Sequence, residues 1–158
     1  MIYDLLITGG TIITGDGPRQ QQIAIKNGKI QELLPNDQNP QALKQYQTDG
    51  CYIFSGGIDV HVHMEDLGTE EVEDWGHGSY AAASGGVTTV VDMPIDCVPS
   101  TVTAENVRKK LRRIQGKSYV DYLLWGGLSG KNLNEIPGML KEGVVGLKSF
   151  LVECGIGD

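Results

Sequence analysis

The sequence predicts an α/β protein, with a β-rich first third followed by a parallel sheet whose strands are joined by helices. Two observations carry this prediction. Up to Gly50 the apolar residues come in short runs separated by turn residues, as in small antiparallel sheets. Beyond Gly50, β-branched runs alternate with segments of helical character, an order typical of parallel sheets with crossover helices.

Short strands are predicted throughout the first third. The run DLLITGGTIITG gives two strands separated by a Gly-Gly pair, and QIAIKNGKIQEL gives two strands joined at Asn27-Gly28. An Asn-Gly pair favours a tight hairpin turn because both residues tolerate positive φ. Residues 35–49 are polar and rich in turn-forming residues, so a surface loop or a variable connection is expected there.

The rest of the chain is predicted to alternate four strands with three helices. The strands are YIFSGGIDVHVH, VTTVVDM, YVDYLLWGG and VVGLKSFLV. The helices are expected over residues 71–84, which run through alanines into a glycine stop, and over residues 103–115 and 133–142. The middle helix has an apolar stripe at helical spacing, formed by Val107, Leu111 and Ile114.

Composition and charge limit the classes of function. The formal charge of −7 argues against nucleic acid as a partner, because phosphate binding needs a basic face. The basic run VRKKLRRIQGK is therefore interpreted as a solvated helix face. Neither a signal peptide nor a membrane span is expected. The scattered cysteines Cys51, Cys97 and Cys154 indicate reduced thiols and a cytoplasmic protein.

Chemically versatile side chains lie at the carboxyl ends of the predicted parallel strands, where sites collect in such sheets. In chain order they are His61 with His63, Asp92, Trp125 and Lys148. In GGIDVHVH, Asp59, His61 and His63 occupy alternate positions and should share one face of the strand. Two imidazoles placed in this way can reach one metal ion, and the preceding carboxylate favours a metal site over a solvated strand face.

Lys148 lies within the apolar run VVGLKSFLV, where an ammonium group must find a partner or face a cavity. Three interpretations stay open at this point. The side chain could reach solvent from the strand end, form a Schiff base, or be carbamylated into a bridging carboxylate.

Three stretches together resemble the cyclic-amide hydrolases of the amidohydrolase superfamily, the group that holds allantoinase, dihydroorotase and dihydropyrimidinase (hydantoinase). They are GGIDVHVH, AAASGGVTTVVDMP and GVVGLKSFL with the following Cys154-Gly155, and together they are most similar to the allantoinase branch. The resemblance implies that residues 1–52 belong to a small β-sandwich. It implies that residues 53–158 form about four β/α units, the first half of a TIM-like barrel and inactive alone.

The resemblance also implies a metal centre and a reaction. His61 and His63 would bind the more buried ion of a binuclear divalent centre, with zinc the expected metal, and Lys148 would bridge the ions as a CO2-derived carbamate. The reaction would be hydrolysis of a cyclic amide C–N bond, allantoin to allantoate in purine catabolism, with a general-base aspartate beyond this chain. The full-length protein would be a homo-oligomer that binds a small cyclic amide or ureide, with no nucleic-acid or membrane partner.

Two positions depart from the group's pattern at the expected substrate site. Glu65 stands where dihydroorotases have an arginine that holds the substrate carboxylate, and Asp96 stands where an asparagine is usual. Both carboxylates are expected to bind substrate and to disfavour dihydroorotate by charge repulsion. A hydantoinase- or dihydropyrimidinase-type hydrolase and a non-catalytic relative with an assembly or regulatory role both stay open as alternatives.

The remaining features have simpler interpretations. The acidic stretch MEDLGTEEVEDW is expected to form a solvated loop and a helix N-terminus, with Glu65 or Asp66 facing the mouth of the site. The aromatic residues are assigned to the core rather than to a substrate platform; they are Trp75, Trp125 and Phe150.

Overall fold

The computed structural model describes residues 1–152, which divide into two compact units, residues 1–55 and the part that begins at Gly56. Residues 153–158, which include Cys154 and Gly155 of the resembling motif, lie outside the described residues. The assignment of the two units to separate domains of a larger enzyme stays a prediction. Within residues 1–152, no helix is long and apolar enough to cross a membrane.

The first unit is built from two small sheets. Its strands are β1 Tyr3–Thr8, β2 Thr11–Thr14, β3 Gly17–Arg19, β4 Gln21–Lys26, β5 Lys29–Pro35, β6 Ala42–Gln47 and β7 Tyr52–Ile53. The four-stranded sheet has the order β5-β4-β1-β6, and the three-stranded sheet has the order β3-β2-β7. The predicted β-rich first third is confirmed, whereas the β-sandwich arrangement stays a prediction.

The hairpin between β4 and β5 turns at the predicted dipeptide. Asn27 has φ of 52° and Gly28 has φ of 71°, the two positive values that this type of tight turn requires. Asp4 on β1 accepts hydrogen bonds from Lys26 Nζ at 2.8 Å and from the Asn27 N–H at 2.6 Å. The turn is therefore anchored on the neighbouring strand.

The predicted surface loop over residues 35–49 is wrong in its second half. Ala42–Gln47 forms β6, which pairs in parallel with β1 at the edge of the sheet. Almost all of its side chains are exposed, so its sequence has neither an apolar run nor an alternating pattern. Backbone pairing rather than side-chain burial holds this strand, and backbone pairing leaves little trace in the sequence.

The second unit is a four-stranded parallel sheet. Its elements are β8 Gly57–Val62, α1 Trp75–Ser84, β9 Val87–Asp92, α2 Ala104–Ile114, β10 Asp121–Leu128, a 3₁₀ turn Leu133–Glu135, α3 Ile136–Lys141 and β11 Gly146–Ser149. The strand order is β11-β10-β9-β8, with every neighbouring pair parallel. The predicted alternation of strands and helices is confirmed, although the stretch YIFSGGIDVHVH divides into β7 and β8.

Two capping side chains set the helix starts. Asp74 accepts a hydrogen bond from the His77 N–H, so α1 begins at Trp75 and not at the predicted residue 71. Thr103 accepts from the Asn106 N–H at 3.2 Å, and α2 follows it directly. The extended backbone of each cap residue marks the point at which the loop ends.

The core of the second unit lies where the three helices pack on one face of the sheet. Its buried apolar residues are Met64, Trp75, Val90, Val107, Ile114, Leu124, Met139 and Val144. The predicted stripe of α2 needs one correction, because Lys110 is buried between Val107 and Ile114, whereas Leu111 is only half-buried. A buried lysine is stable in this position because a buried carboxylate faces it, as described below.

The two faces of the parallel sheet differ in chemistry. Val62 and Leu147 pack against the helix-side core. Since side chains alternate along a strand, the neighbouring His61, His63 and Lys148 project from the opposite face. That face carries the candidate functional residues.

Candidate functional site

The two histidines of β8 lie side by side. The ring centroids of His61 and His63 are 5.5 Å apart, with 40° between the ring planes. Two imidazoles that bind one zinc at ~2.0–2.1 Å in tetrahedral geometry would place their centroids about 5 Å apart. The separation of the rings is therefore close to that expected for two ligands of a single ion. The prediction that they share one side of the strand is confirmed, and their metal role stays a prediction.

An irregularity in β8 supports this part of the strand. The pairing of β8 with β9 is interrupted between Asp59 and Val62. Two side chains fill the gap: Asp59 Oδ1 accepts from the His61 N–H at 3.0 Å, and Trp125 Nε1 donates to the Val60 carbonyl at 2.9 Å. The Asp59 carboxylate thus binds the backbone beside the first histidine.

His63 has a carboxylate partner. Its Nδ1 lies 2.7 Å from Oδ2 of Asp96, a residue in the loop after β9. When a carboxylate holds a proton on one ring nitrogen, the other nitrogen is free to bind a metal, and such partners orient many metal-binding histidines. The contact gives Asp96 an orienting position toward His63, in addition to the substrate role that the sequence suggested.

Backbone geometry brings the two departing carboxylates into one loop cluster. Glu65 and Asp96 have positive φ, 48° and 60°, which is uncommon for residues other than glycine. The Thr69 hydroxyl bonds to the carbonyl oxygens of both residues, at 3.0 Å for Asp96. Strained residues of this kind cost about 1–3 kcal/mol each and tend to cluster at functional sites. Direct contact of either carboxylate with substrate stays a prediction.

A buried ion pair lies behind the histidines. Asp92, the last residue of β9, and Lys110 of α2 are each 1% exposed, and their side chains form a salt bridge. The other carboxylate oxygen of Asp92 accepts from the Met64 N–H at 2.8 Å. Burial raises the pKa of Asp92, although the charge of Lys110 and the two hydrogen bonds oppose the rise. Sequence reasoning placed Asp92 at a strand end but gave it no partner.

A second ionic cluster ties the loop after β8 to α2. Asp66 is fully buried, and it accepts from Arg113 Nε at 3.0 Å, from Lys117 Nζ at 2.8 Å and from the Trp75 N–H at 3.4 Å. Burial alone would raise the pKa of Asp66, but these donors outweigh it and lower the pKa. Of the two residues that could face the mouth of the site, Asp66 is therefore excluded, and Glu65 remains the candidate.

The same contacts correct the interpretation of the basic run. Arg113 and Lys117 bind Asp66, and Lys110 is buried. Arg108 pairs with Glu142 across to the end of α3. The run is therefore largely a structural scaffold and not simply a solvated face, because its charges have partners within the second unit.

Trp125 lies on the histidine-bearing face. A Cβ added to Gly146 on β11 would come within 2.5 Å of Trp125 Cζ3, while Trp125 Nε1 reaches Val60 on β8. The indole therefore spans the sheet between its two edge strands. Its assignment to the core is wrong, because the helix-side core forms without it, whereas the assignment of Trp75 is confirmed.

Lys148 lies on β11, opposite Gly127 of β10 and at the other edge of the sheet from the histidines. Its Nζ lies 5.1 Å from the ring centroid of Phe150, a distance typical of cation–π contacts. In the described part of the chain, no three His, Cys, Asp or Glu side chains form a group that could hold a metal ion. The bridging role of Lys148 stays a prediction.

Sequence and structure comparisons both find relatives of this chain. No family model matches the chain. Curated relatives named allantoinase are 41% identical over 156 residues in Bacillus velezensis and 35% identical over 158 residues in Deinococcus radiodurans, covering 98% and 100% of this chain. The L-hydantoinase (dihydropyrimidinase) from Arthrobacter aurescens superposes with a TM-score of 0.90 at 28% identity over 98% of the chain, and a D-hydantoinase superposes with 0.80 at 30%.

By sequence and by fold, this chain is therefore a relative of the cyclic-amide hydrolases of the amidohydrolase superfamily. Its curated relatives are allantoinases, and the solved structures that it resembles are hydantoinases. The chain spans 34% to 35% of the length of these proteins.

The Asp66 cluster makes a prediction about stability. Asp66→Asn should lower the free energy of unfolding at pH 7 by about 2 kcal/mol, because hydrogen bonds to a charged group contribute ~1.5–3 kcal/mol. The folded-state pKa of Asp66 lies below its ordinary value of 3.8. The wild-type advantage should therefore be present above that value and be lost as the pH falls through the folded-state pKa.

Urea denaturation of both proteins between pH 7 and pH 2 measures this difference. Glu70→Gln is the matched control, since Glu70 contacts Arg113 at the rim of the cluster and is partly exposed. The control should change stability by less than about 0.5 kcal/mol. An Asp66→Asn difference that persists unchanged to pH 2 would contradict the assignment of the effect to the ionised carboxylate.

Proposed function

We propose that this chain contributes to the metal centre of a hydrolase that cleaves a cyclic amide C–N bond, with allantoin as the preferred substrate. The observation that carries the proposal is the His61–His63 pair at 5.5 Å, with Asp96 on Nδ1 of His63. The identity to proteins named allantoinase, 35–41% in two of them, supports the choice of substrate.

The two imidazoles fit part of a metal shell. Zinc sites use four or more ligands, so His61 and His63 fill two positions and other groups complete the site. A divalent ion held there supplies a Lewis acid for an amide carbonyl and lowers the pKa of a water molecule toward neutrality. Asp96, whose Oδ2 lies 2.7 Å from Nδ1 of His63, would keep the proton on Nδ1 and leave Nε2 available as the metal ligand.

Lys148 is proposed as a further ligand after carbamylation. The neutral Nζ adds to the carbon of CO2 and releases one proton, which leaves a carbamate with two oxygen donors. The position of Lys148 on the histidine-bearing face supports this role. The indole of Trp125 lies between the two edge strands, where it donates to the Val60 carbonyl on β8 and lies against Gly146 on β11.

The other residues near the histidines are proposed to bind the substrate or to orient His63. Trp125 offers a flat apolar surface against which a small planar ring can pack. Glu65 is half-buried and begins the loop that follows the histidines, so its carboxylate can accept hydrogen bonds from ring or ureido N–H groups. Asp96 is engaged with His63, and we therefore assign it to orientation first and to substrate second.

A hydantoinase-type activity is the second candidate. The TM-score of 0.90 with an L-hydantoinase favours it, because the backbone that presents the histidines is nearly the same in both proteins. The two candidates share the metal chemistry and differ in the substituent on the ring. Substrate comparison therefore separates them, whereas loss of the metal ligands would affect both.

The bridging role of Lys148 is tested in a protein of the relatives' length that carries this chain. Lys148→Ala should abolish ring hydrolysis, because the oxygen bridge is lost. Short carboxylic acids such as acetate should restore part of the activity by supplying carboxylate oxygens in place of the carbamate. Lys131→Ala, in an exposed turn, is the control and should retain full activity. Undiminished turnover by Lys148→Ala would contradict the proposal.

The role of Glu65 is tested by substrate preference in the same protein. Two like charges ~5 Å apart repel by roughly 3 kcal/mol at an effective dielectric of about 20, or about a hundredfold in affinity. Wild type should therefore prefer allantoin or hydantoin over dihydroorotate in kcat/KM, and Glu65→Arg should shift the ratio toward dihydroorotate. Efficient turnover of dihydroorotate by wild type, or an unchanged ratio in Glu65→Arg, would show that Glu65 does not contact the substrate.

A further inference from the structure

We infer that Asp92 is a positioning residue for His63: its buried carboxylate, which Lys110 neutralises, accepts from the Met64 N–H and thereby helps to fix the backbone beside this histidine and the direction of its imidazole. The Asp92–Lys110 pair touches neither substrate nor metal in the proposed site. It acts through the peptide groups that connect Val62, His63 and Met64.

Both peptide groups that flank His63 are bound to the end of β9. On one side, the Val62 carbonyl accepts from the Met93 N–H at 2.9 Å. On the other side, the Met64 N–H donates to Asp92 Oδ1 at 2.8 Å. Since Asp92 is the last residue of β9 and Met93 follows it, two consecutive residues hold the backbone before and after the histidine. Rotation of either peptide group would break one of these bonds.

Lys110 fixes the carboxylate that performs this task. Asp92 and Lys110 are each 1% exposed, and Lys110 Nζ also lies 6.0 Å from the ring centroid of Trp75. An isolated carboxylate in such a place would become protonated or rotate toward another donor. The lysine keeps one oxygen engaged, so the other oxygen faces the Met64 N–H.

A role in stability alone does not account for this arrangement. Buried ion pairs can often be replaced by apolar residues of similar volume with no loss of stability, or with a gain. An apolar pair could fill the space between β9 and α2, but it would leave the Met64 N–H without an acceptor. A positioning role for Asp92 therefore depends on its oxygen as a hydrogen-bond acceptor for the Met64 N–H, whereas a packing role would not.

The loop after β9 also contacts the imidazole ring of His63. Asp96 follows Asp92 by four residues, and its carboxylate binds His63 Nδ1 at 2.7 Å. The backbone and the ring of His63 are thus held by the same end of β9. A shift in the Met64 segment would move the imidazole relative to Asp96 and would weaken the preference for a proton on Nδ1.

Two double variants of the 158-residue chain separate the acceptor from the charge. Asp92→Leu/Lys110→Met removes both charges and the acceptor. Asp92→Asn/Lys110→Met also removes both charges but keeps an amide oxygen that can accept from the Met64 N–H. Asp92→Val/Lys110→Met replaces the leucine variant if that protein lacks a cooperative unfolding transition. Hydrogen exchange of the Met64 amide and the imidazole ¹⁵N shifts of His63 are then measured without metal.

Wild type and the asparagine variant should show a protected Met64 amide and one dominant His63 tautomer with the proton on Nδ1. The leucine variant should exchange the Met64 amide at least tenfold faster and should populate both tautomers. The inference rests on the proposed function only where zinc binding is measured. Zinc affinity should fall 10–100-fold in the leucine variant and about threefold or less in the asparagine variant.

Two results would overturn the inference. One is a leucine variant with wild-type exchange and tautomer. The other is an asparagine variant that loses both signatures as fully as the leucine variant, which would assign the effect to the charge. If the metal-free signatures change as expected while zinc affinity is the same in all variants, the metal role of His63 fails and the positioning role stands.

Discussion

A carboxylate that is shut off from water must be matched by donors, and Asp92 meets this requirement with groups from two other elements. Lys110 comes from α2, and the Met64 N–H comes from the segment after β8. The end of β9 is therefore joined to a helix on one side and to the histidine strand on the other. The salt bridges of Asp66 form a second connection, between the loop after β8 and the C-terminal end of α2. We infer that the direction of His63 depends on these contacts.

Part of this arrangement could be predicted from local sequence. The HxH spacing on a β-branched run fixes the shared face of His61 and His63, because side chains alternate along any strand. The Asn27-Gly28 turn also follows from residue chemistry alone. These features depend on the conformational preferences of neighbouring residues and need no knowledge of the rest of the fold.

The missed features depend on contacts between distant residues. Lys110 lies in a strongly basic helical run, and only the position of Asp92 on a neighbouring strand makes its burial favourable. The contact of Asp96 with His63 requires the positive φ of Asp96, which is set by the loop. Strand β6 is held by backbone hydrogen bonds to β1, and its polar sequence has no pattern that would predict this pairing.

The sheet also explains why the histidine-bearing face is suited to binding. Parallel sheets are usually covered on both faces. In the described residues, the helices cover one face, while Leu123 on β10, which alternates with the core residues Tyr122 and Leu124, is 42% exposed on the other. The two imidazoles, the indole of Trp125 and Lys148 therefore border a surface that remains open to a ligand or to further protein.

The central claim is that His61 and His63 bind one metal ion together, and X-ray absorption spectroscopy of the zinc-loaded chain tests it most directly. The chain has three histidines, so each can be removed in turn. The account predicts scattering from two imidazoles at substoichiometric zinc, one imidazole in His61→Ala or His63→Ala, and no change in His77→Ala. Zinc that keeps the same imidazole count in a His61→Ala/His63→Ala protein would contradict it.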